Sequence, residues 1–330
     1  MNRSPEIVRL PRRVAAGLLL LAPLFAAFGS GDVPASGDRD AFSIIALPDT
    51  QLYSETYPRI FEAQTSWIKR NRSREHIAFV THLGDIVQNG GRNPTEWKRA
   101  RRAMYLLDGV VPWGVDIGNH DYDRPNDPQG AAQTFLASFG PAHFRGRAWY
   151  GGSSTNGLNC FQLVSIGHTR LVILHLEADI PDAAIGWAEA VLKRHPDRQA
   201  IISTHIYLDD RSHARTGKAY FRPQGNSGEL IWQKLVRKQP QIFMVLCGHW
   251  GEAGGEWHQI STNDAGHPVL EVLSDYQRRN HGGDGWLRIL KFLPRKQEIH
   301  VRTYSPTLNR YATGKQGHFT LPWHRKPAMP

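Results

Sequence analysis

The sequence predicts an α/β fold in which two facing sheets are flanked by helices. Apolar strands, polar loops and helical stretches alternate along residues 42–310. No composition break, linker or repeat divides that range, so we predict one domain there. Hydrophobic residues make up 40% of the 330 residues, enough for a substantial core. The chain is therefore expected to fold as a compact globule.

The first half of the domain repeats a pattern of strand, polar loop and helix. The pattern predicts strands at 42–47, 76–81 and 114–117 and helices at 58–71 and 94–107. A long segment rich in Gly, Pro and Asn, 122–157, is predicted to loop over the strand ends, with a short helix at 131–139. In α/β proteins the functional groups gather at the carboxyl ends of parallel strands. We therefore look for chemistry in the polar loops.

The second half adds a hairpin to the same pattern. Two strands, 160–166 and 170–174, are predicted to turn at residues 167–168. The elements predicted after them are helices at 181–193 and 228–237, and strands at 199–203, 242–246, 255–261, 269–274, 286–292 and 298–304. Hairpins next to helix-connected strands favour sheets that mix parallel and antiparallel pairs.

Both ends of the chain are predicted to lie outside the domain. Four arginines precede an apolar run at 14–28, which is short for a membrane span of ~20 residues. This layout is typical of a secretory signal peptide, so we predict a signal peptide at 1–29, a linker at 30–41 and an exported protein, periplasmic or secreted and free of the membrane after cleavage. A retained membrane anchor is the alternative. Residues 311–330 are predicted to form a peripheral tail rich in basic residues and proline.

Composition and motifs exclude several classes of function. Cys160 and Cys247 are too few for a thiolate cluster or a disulfide framework, so a metal site here would use nitrogen and oxygen ligands. The formal net charge of +10 suits anionic, phosphate-bearing substrates, although a solvated basic surface explains it equally simply. Sequence-specific nucleic-acid binding is not expected, because no signature for it is present. Covalent serine hydrolysis is disfavoured because G-x-S-x-G is missing.

Five strand ends carry residue types that bind metal ions. They are Asp49 with Gln51, Asp85, Asn119 with His120, His205, and His249. Each alone has an ordinary explanation, such as a helix cap, a turn residue or a core histidine bonded to the backbone. Five of them at the ends of apolar strands instead indicate one shared metal site.

These segments resemble the calcineurin-like metallophosphoesterase superfamily. The family pattern is D-x-H, G-D, G-N-H-D/E, an isolated H and G-H-x-H. The matching segments here are Asp49-Thr50-Gln51, Gly84-Asp85, Gly118-Asn119-His120-Asp121, His205 and Gly248-His249-Trp250-Gly251. In detail the chain is similar to an exported bacterial branch whose first motif reads L-P-D-T-Q, here residues 47–51. The resemblance implies a four-layer α-β-β-α sandwich of two mixed sheets flanked by helices.

The resemblance also implies two divalent metal ions bridged by Asp85. One, a tight transition metal such as Fe, Zn or Mn, would be held by Asp85, Asn119, His205 and His249. The other, a weaker Mn or Mg, would be held by Asp49, Gln51 and Asp85. Gln51 and Gly251 stand where the family has histidine, and an amide oxygen is a harder, weaker donor than imidazole.

Two expectations follow for the weaker site. Glu252 or His258 could supply the missing donor, although either is equally well explained as an ordinary surface residue. Restoring the family pattern with Gln51→His and Gly251→His is expected to tighten this site, provided that Gly251 is not needed for a turn with positive φ.

The activity implied by the resemblance is hydrolysis of a small-molecule phosphoester by a metal-bound hydroxide, as a phosphatase or phosphodiesterase. His120 would protonate the leaving oxygen, and Asp121 would fix its tautomer. The alternative is a degenerate domain that binds metal, a phosphorylated ligand or an envelope partner without turnover. The two missing histidines favour this alternative, and the presence of both Asn119 and His120 favours the enzyme. The sequence predicts no particular oligomeric state.

Overall fold

The structure is a computed structural model and describes residues 40–323. The predicted signal peptide, most of the predicted linker and residues 324–330 lie outside the described residues. Within residues 40–323, no helix is both long and apolar enough to cross a membrane. Cys160 and Cys247 are both free and buried.

The secondary structure alternates strands and helices from the start of the described chain. The strands are β1 (Phe42–Leu47), β2 (Ile77–His82), β3 (Trp113–Val115), β4 (Tyr150–Ser153), β5 (Cys160–Ile166), β6 (Thr169–Leu176), β7 (Gln199–Thr204), β8 (Leu208–Asp209), β9 (Ala214–Arg215), β10 (Ile242–Cys247), β11 (Glu256–Thr262), β12 (Pro268–Ser274), β13 (Leu287–Leu293), β14 (Glu298–Ser305), β15 (Arg310–Tyr311) and β16 (His318–Pro322). The helices are α1 (Gln51–Glu55), α2 (Pro58–Asn71), α3 (Pro94–Met104), α4 (Gln133–Phe139), α5 (Pro141–Phe144), α6 (Asp182–Arg194), α7 (Gly228–Ile231) and α8 (Asn280–Gly283).

Two seven-stranded mixed sheets form the centre of the molecule. The first has the order β15-β14-β13-β1-β2-β3, with β16 paired to β14, and the second has the order β11-β12-β10-β7-β6-β5-β4. Strands β1, β2 and β3 run parallel in the first sheet, as do β6, β7, β10 and β12 in the second. The predicted α/β sandwich of two mixed sheets flanked by helices is confirmed.

Alternate residues of the central strands supply different layers of the core. In β1, Ile44 and Ala46 belong to the apolar cluster between the sheets, whereas Ile45 and Leu47 belong to the cluster beneath α2 and α3. Successive side chains of a strand point to opposite faces, so a strand buried on both faces must be apolar throughout. This explains why the sequences of the central strands are continuous apolar runs. Burial on both faces also fixes the positions of the strand ends relative to one another.

Several elements differ in detail from the sequence prediction. The predicted helix 94–107 ends at Met104 and continues as a 3₁₀ turn, Tyr105–Leu107, while α7 continues as a π-helical turn, Trp232–Val236. The predicted loop 122–157 contains β4, which pairs with β5 at the edge of its sheet. Its sequence, Tyr-Gly-Gly-Ser, has weak strand propensity, which explains why the pattern did not reveal it.

The prediction of a peripheral tail from residue 311 is wrong for residues 318–323. Strand β16 pairs antiparallel with β14, and the Trp323 side chain is 1% exposed. Its ring packs edge-on against Phe292, with 5.0 Å between ring centroids, and against Phe42 at 6.4 Å. Apolar residues at alternate positions from Phe319 to Trp323 place this strand on the core between the sheets.

Candidate metal centre

The predicted site residues meet at one edge of the sandwich. Asp49 follows β1, Asp85 follows β2 and Asn119 follows β3, all from the first sheet. His205 follows β7 and His249 follows β10, both from the second sheet. All five backbone positions lie at carboxyl ends of parallel strands, and Asp49, Asp85, Asn119 and His205 are buried. The two sheets thus face each other across the candidate site.

Three of these residues converge on the Nε2 atom of the fourth, His205. This nitrogen lies 3.3 Å from Asp85 Oδ2, 3.1 Å from Asn119 Oδ1 and 3.2 Å from His249 Nδ1. The other ring nitrogen, Nδ1, donates to the backbone carbonyl of Leu83 at 2.7 Å, which orients Nε2 toward the cluster. Asp85, His205 and His249 each offer a ligand atom within 4.8 Å of the others. Two imidazoles with carboxylate and amide oxygens suit a transition metal.

The charges of this cluster also suit a cation. Burial disfavours a charged imidazole, but the carboxylates of Asp85 and Asp49 outweigh it and raise the pKa of His205 to about 10. Burial opposes ionisation of Asp85 as well, yet His205 and His120 lower the pKa of its carboxyl. A proton on His205 therefore stands where a metal ion would be held. The donor set fits a divalent cation on charge as well as on ligand type.

Asp49 and Gln51 border the same cluster, and Asp49 Oδ2 lies 4.0 Å from His205 Nε2. Both carboxylate oxygens of Asp49 lie 3.3 Å from the backbone N–H of His249. Gln51 Nε2 lies 3.2 Å from Asp85 Oδ2, while Gln51 Oε1 is buried and has no hydrogen-bond partner within the described chain. A buried acceptor left unpaired costs about 1–3 kcal/mol, and a cation would satisfy it. These residues therefore fit a second, oxygen-rich metal position.

Comparison with known proteins decides the family. The family model described as calcineurin-like phosphoesterase matches residues 42–253. This chain belongs to the calcineurin-like phosphoesterase family. It is 35% identical over 304 residues to the uncharacterized protein YvnB of Bacillus subtilis (strain 168), a match that covers 88% of this chain and 22% of that protein. The chain thus spans about a fifth of the length of that relative.

A solved structure shares the fold of this chain. A dimetal phosphatase from Danio rerio superposes with a TM-score of 0.52 at 13% sequence identity. The match covers 86% of this chain and 99% of that one. This likeness shows a shared fold. The residues that could hold a metal ion at the edge described above are this chain's own.

In this calcineurin-like chain, His120 stands beside the cluster with one ring nitrogen tethered. Its Nδ1 lies 2.8 Å from the backbone carbonyl of Gln88. A carbonyl oxygen only accepts hydrogen bonds, so Nδ1 carries the hydrogen and Nε2 is left for proton exchange. The backbone N–H of His120 donates to Asp85 Oδ1 at 2.9 Å. The residue is therefore fixed relative to the predicted bridging carboxylate.

Asp121 does not hold His120 in the way the sequence suggested. Its Oδ1 accepts the backbone N–H groups of residues 86 and 87 at 2.8 and 3.1 Å, and its Oδ2 accepts that of Gly118 at 2.9 Å. Burial, and then the charge of Asp85, raise the pKa of Asp121 to about 7. Asp121 shapes the loop that presents Asp85, whose backbone has a φ of 48°. These contacts position a predicted metal ligand and do not fix the tautomer of His120.

The two candidates for the missing donor of the weaker site contact other side chains. Glu252 forms an ion pair with the exposed side chain of Arg278. His258 stacks on Phe319 with ring centroids 3.7 Å apart and lies 2.6 Å from Gln316 Oε1 through its Nδ1. Both side chains are therefore held by neighbouring side chains, which gives each of them a structural role.

The expected gain from Gly251→His is also contradicted. A Cβ atom on Gly251 would lie 2.5 Å from the backbone oxygen of Asp275 and 2.7 Å from its Oδ2. Contacts this short force backbone or a buried carboxylate to move, so a histidine here would distort the loop before it could bind metal. The family's last histidine has no space at this position.

Two positioning residues were missed by the sequence analysis. Glu96 of α3 is buried, and its Oε2 accepts the backbone N–H groups of Gln88 and Asn89 at 2.8 and 2.9 Å. It thereby fixes the carbonyl that holds His120. Its spacing from Asn93 is that of a helix-capping pair, and Asn93 Nδ2 does donate to Glu96 Oε1 at 2.8 Å. The local capping pattern therefore accounts for Glu96, but it does not show that the same carboxylate also binds the backbone next to His120.

The second missed residue is Asn126. Its Oδ1 accepts Asn119 Nδ2 at 2.7 Å, which turns Asn119 Oδ1 toward His205. Asn126 lies in the loop after the G-N-H-D motif and has a φ of 62°, a conformation that asparagine tolerates better than most residues. No sequence motif includes Asn126, because its hydrogen bond with Asn119 depends on how the loop folds back to the end of β3.

Proposed function

We propose that this protein is an exported hydrolase of small-molecule phosphoesters, a phosphatase or phosphodiesterase that depends on two divalent metal ions. The observation that carries the proposal is the convergence of Asp85, Asn119, His205 and His249 at one edge, with His120 beside them. Membership of a phosphoesterase family supports the same class of reaction.

The residues divide between two metal positions. Asp85, Asn119, His205 and His249 would hold one ion, and Asp49, Gln51 and Asp85 the other. Asp85 suits the bridging position because its Oδ2 lies 3.3 Å from His205 Nε2 and 3.2 Å from Gln51 Nε2, between the two sets. Paired divalent cations, when bound, neutralise phosphoryl oxygens and lower the pKa of water, which makes hydrolysis accessible near neutral pH.

His120 would act on the leaving group. With Nδ1–H held by the Gln88 carbonyl, Nε2 is the atom that can deliver a proton to the departing oxygen. Asp121, Glu96 and Asn126 would keep the loops in place during the reaction, because each bonds backbone or an amide next to a predicted ligand or acid. In this scheme no covalent intermediate with the protein is formed.

A second candidate function is metal or phosphorylated-ligand binding without turnover. Gln51 and Gly251, in place of two family histidines, favour it because both changes weaken one of the two metal positions. The two candidates differ in one measurable property, which is turnover by protein that contains its metals.

The test is a substrate screen with controlled metal content. Purified protein is stripped of metal, reloaded with Mn²⁺, Mg²⁺, Zn²⁺ or Fe²⁺, and assayed on phosphomonoesters, cyclic nucleotides and phosphodiesters. We expect turnover of at least one class, loss of turnover on chelation and recovery on reloading. Undiminished activity in the chelated protein would contradict the metal mechanism. Full metal content with no turnover of any class would favour the binding function.

Export is the part of the proposal that rests on residues 1–29 alone. The arginines before the apolar run 14–28 support it. N-terminal sequencing of protein recovered from the periplasm or medium is expected to begin near residue 30. Recovery of chain that retains residues 1–29 in the membrane fraction would instead support an anchor.

A further inference from the structure

Asp275 lies at the same edge as the candidate metal centre, although no motif of the family includes it. It directly follows β12, which pairs in parallel with β10, the strand that leads to His249. Its side chain is buried. Because neighbouring parallel strands end at the same edge of a sheet, Asp275 takes a position equivalent to that of the predicted ligands.

The loop after β10 leaves room for the Asp275 carboxylate by carrying glycine. A Cβ on Gly251 would lie 2.7 Å from Asp275 Oδ2, and a Cβ on Gly255 would collide with the Asp275 carbonyl oxygen. Gly251 stands where the family has its last histidine. The carboxylate therefore occupies the space that a side chain at 251 would enter.

A row of amide groups connects Asp275 to the centre. Asp275 Oδ2 accepts Gln277 Nε2 at 2.9 Å, and Gln277 Oε1 accepts Gln51 Nε2 at 2.6 Å. Gln51 Nε2 in turn lies 3.2 Å from Asp85 Oδ2. The unpartnered Gln51 Oε1 belongs to the same row. Asp275 is thus joined to the bridging carboxylate through two side chains with amide oxygens that could bind a cation.

Several carboxyl groups lie close to the candidate metal centre. The carboxylates of Asp49, Asp85 and Asp275 are all buried at this edge. Buried carboxylates are costly unless a cation pairs with them. His205 Nε2 lies 4.0 Å from Asp49 Oδ2, but the same nitrogen also lies 3.3 Å from Asp85 Oδ2. A divalent cation bound at this edge would offset the cost of burying these carboxylates.

We propose that Asp275 replaces the family's last histidine as a ligand of the weaker metal position. With Asp49, Asp85 and Gln51 it makes a donor set composed of oxygen, which favours Mn²⁺ or Mg²⁺ over Zn²⁺. This inference rests on the metal centre of the proposed function, and it assigns the missing ligand to a residue that follows a strand outside the family's motifs.

The experiment counts metal ions and does not depend on activity. Wild-type protein and Asp275→Asn are dialysed to equilibrium at a series of Mn²⁺ concentrations, and bound Mn²⁺ is measured by elemental analysis. We expect about two equivalents at saturation for the wild type, as in paired-metal sites. In Asp275→Asn we expect the weaker equivalent to lose more than about 100-fold in affinity, beyond the effect of removing a supporting contact. The matched control, Glu252→Gln, should keep both equivalents.

Two outcomes overturn the inference. One is an Asp275→Asn variant that binds both equivalents with wild-type affinity, and the other is a wild type that saturates at one. If wild type binds two and the variant one, but neither hydrolyses any phosphoester, the assignment of Asp275 stands and the proposed hydrolysis fails. The readout therefore separates the two proposals.

A second variant tests ligation directly in case Asp275→Asn does not fold. Asp275→Cys places a soft thiolate at the same position, which favours a soft cation such as Cd²⁺. Titration with Cd²⁺ is expected to produce the ultraviolet absorption of a cadmium–thiolate bond. Wild-type protein corrects for Cys160 and Cys247, which are buried. A folded Asp275→Cys variant without this absorption would overturn the inference.

Discussion

Asp85→Asn is expected to abolish metal-dependent hydrolysis and to lower the bound metal below one equivalent. Asp85 Oδ2 lies within 3.3 Å of the ligand atom or amide of each predicted metal position, so loss of its charge weakens both. Removal of one group that stabilises transition-state charge costs about 10²–10³-fold in rate, and a residue shared by both positions should cost at least about 10³-fold in kcat/KM. Elemental analysis and kinetics on the same preparation measure both effects.

Asp116→Asn is the matched control for this prediction. Asp116 is a second buried aspartate near the end of β3, and burial raises the pKa of its carboxyl well above the usual value. Its Oδ2 accepts the hydroxyl of Ser203 at 2.8 Å, and its Oδ1 has no hydrogen-bond partner within the described chain. A neutral amide should replace this group with little effect on metal content or rate. Asp85→Asn with wild-type metal content and rate would rule out the bridging role.

His120→Ala is expected to slow hydrolysis in proportion to the leaving group's need for a proton. The backbone N–H of residue 120, rather than its ring, donates to Asp85, so alanine keeps that hydrogen bond and the metal content should stay near wild type. General acids contribute about 10²–10⁴-fold, and we expect kcat to fall by that factor for alkyl phosphoesters. For activated aryl phosphates, whose leaving groups need no proton, the loss should be much smaller.

The control for the acid role is an exposed histidine far from the site in sequence. His168 lies in the turn between β5 and β6, and His168→Ala should leave both substrates unaffected. The comparison uses the ratio of rates on the two substrate classes, which cancels errors in active protein concentration. Equal losses on good and poor leaving groups would exclude proton donation by His120.

The grouping of Asp49, Asp85 and His205 could be predicted from the sequence because each follows an apolar strand. Strands that are apolar throughout are typical of parallel sheets buried on both faces, and neighbouring parallel strands end at the same edge of the sheet. Helix α2 was predicted with the same bounds, 58–71, because Pro58 begins it and an amphipathic pattern continues through Asn71. Local patterns of this kind are read directly from consecutive residues.

Asp275 could not be assigned from the sequence, although its strand was predicted. Its proximity to the centre depends on β12 lying next to β10, and the order of strands in a sheet is not written in any local pattern. The contacts of Asp121 were missed for a related reason. Its partners are backbone N–H groups, which every residue offers, so side-chain identity carries no information about which of them it meets.

The division of the centre between the two sheets has a thermodynamic consequence. Asp49, Asp85 and Asn119 belong to one sheet, and His205 and His249 to the other. A cation bound by both groups acts as a cross-link between two layers that also meet through apolar packing and through buried hydrogen bonds such as that from Ser203 to Asp116. A ligand that binds only the assembled state adds its binding free energy to that state's stability. Release of the ion is therefore thermodynamically coupled to separation of the two sheets at this end.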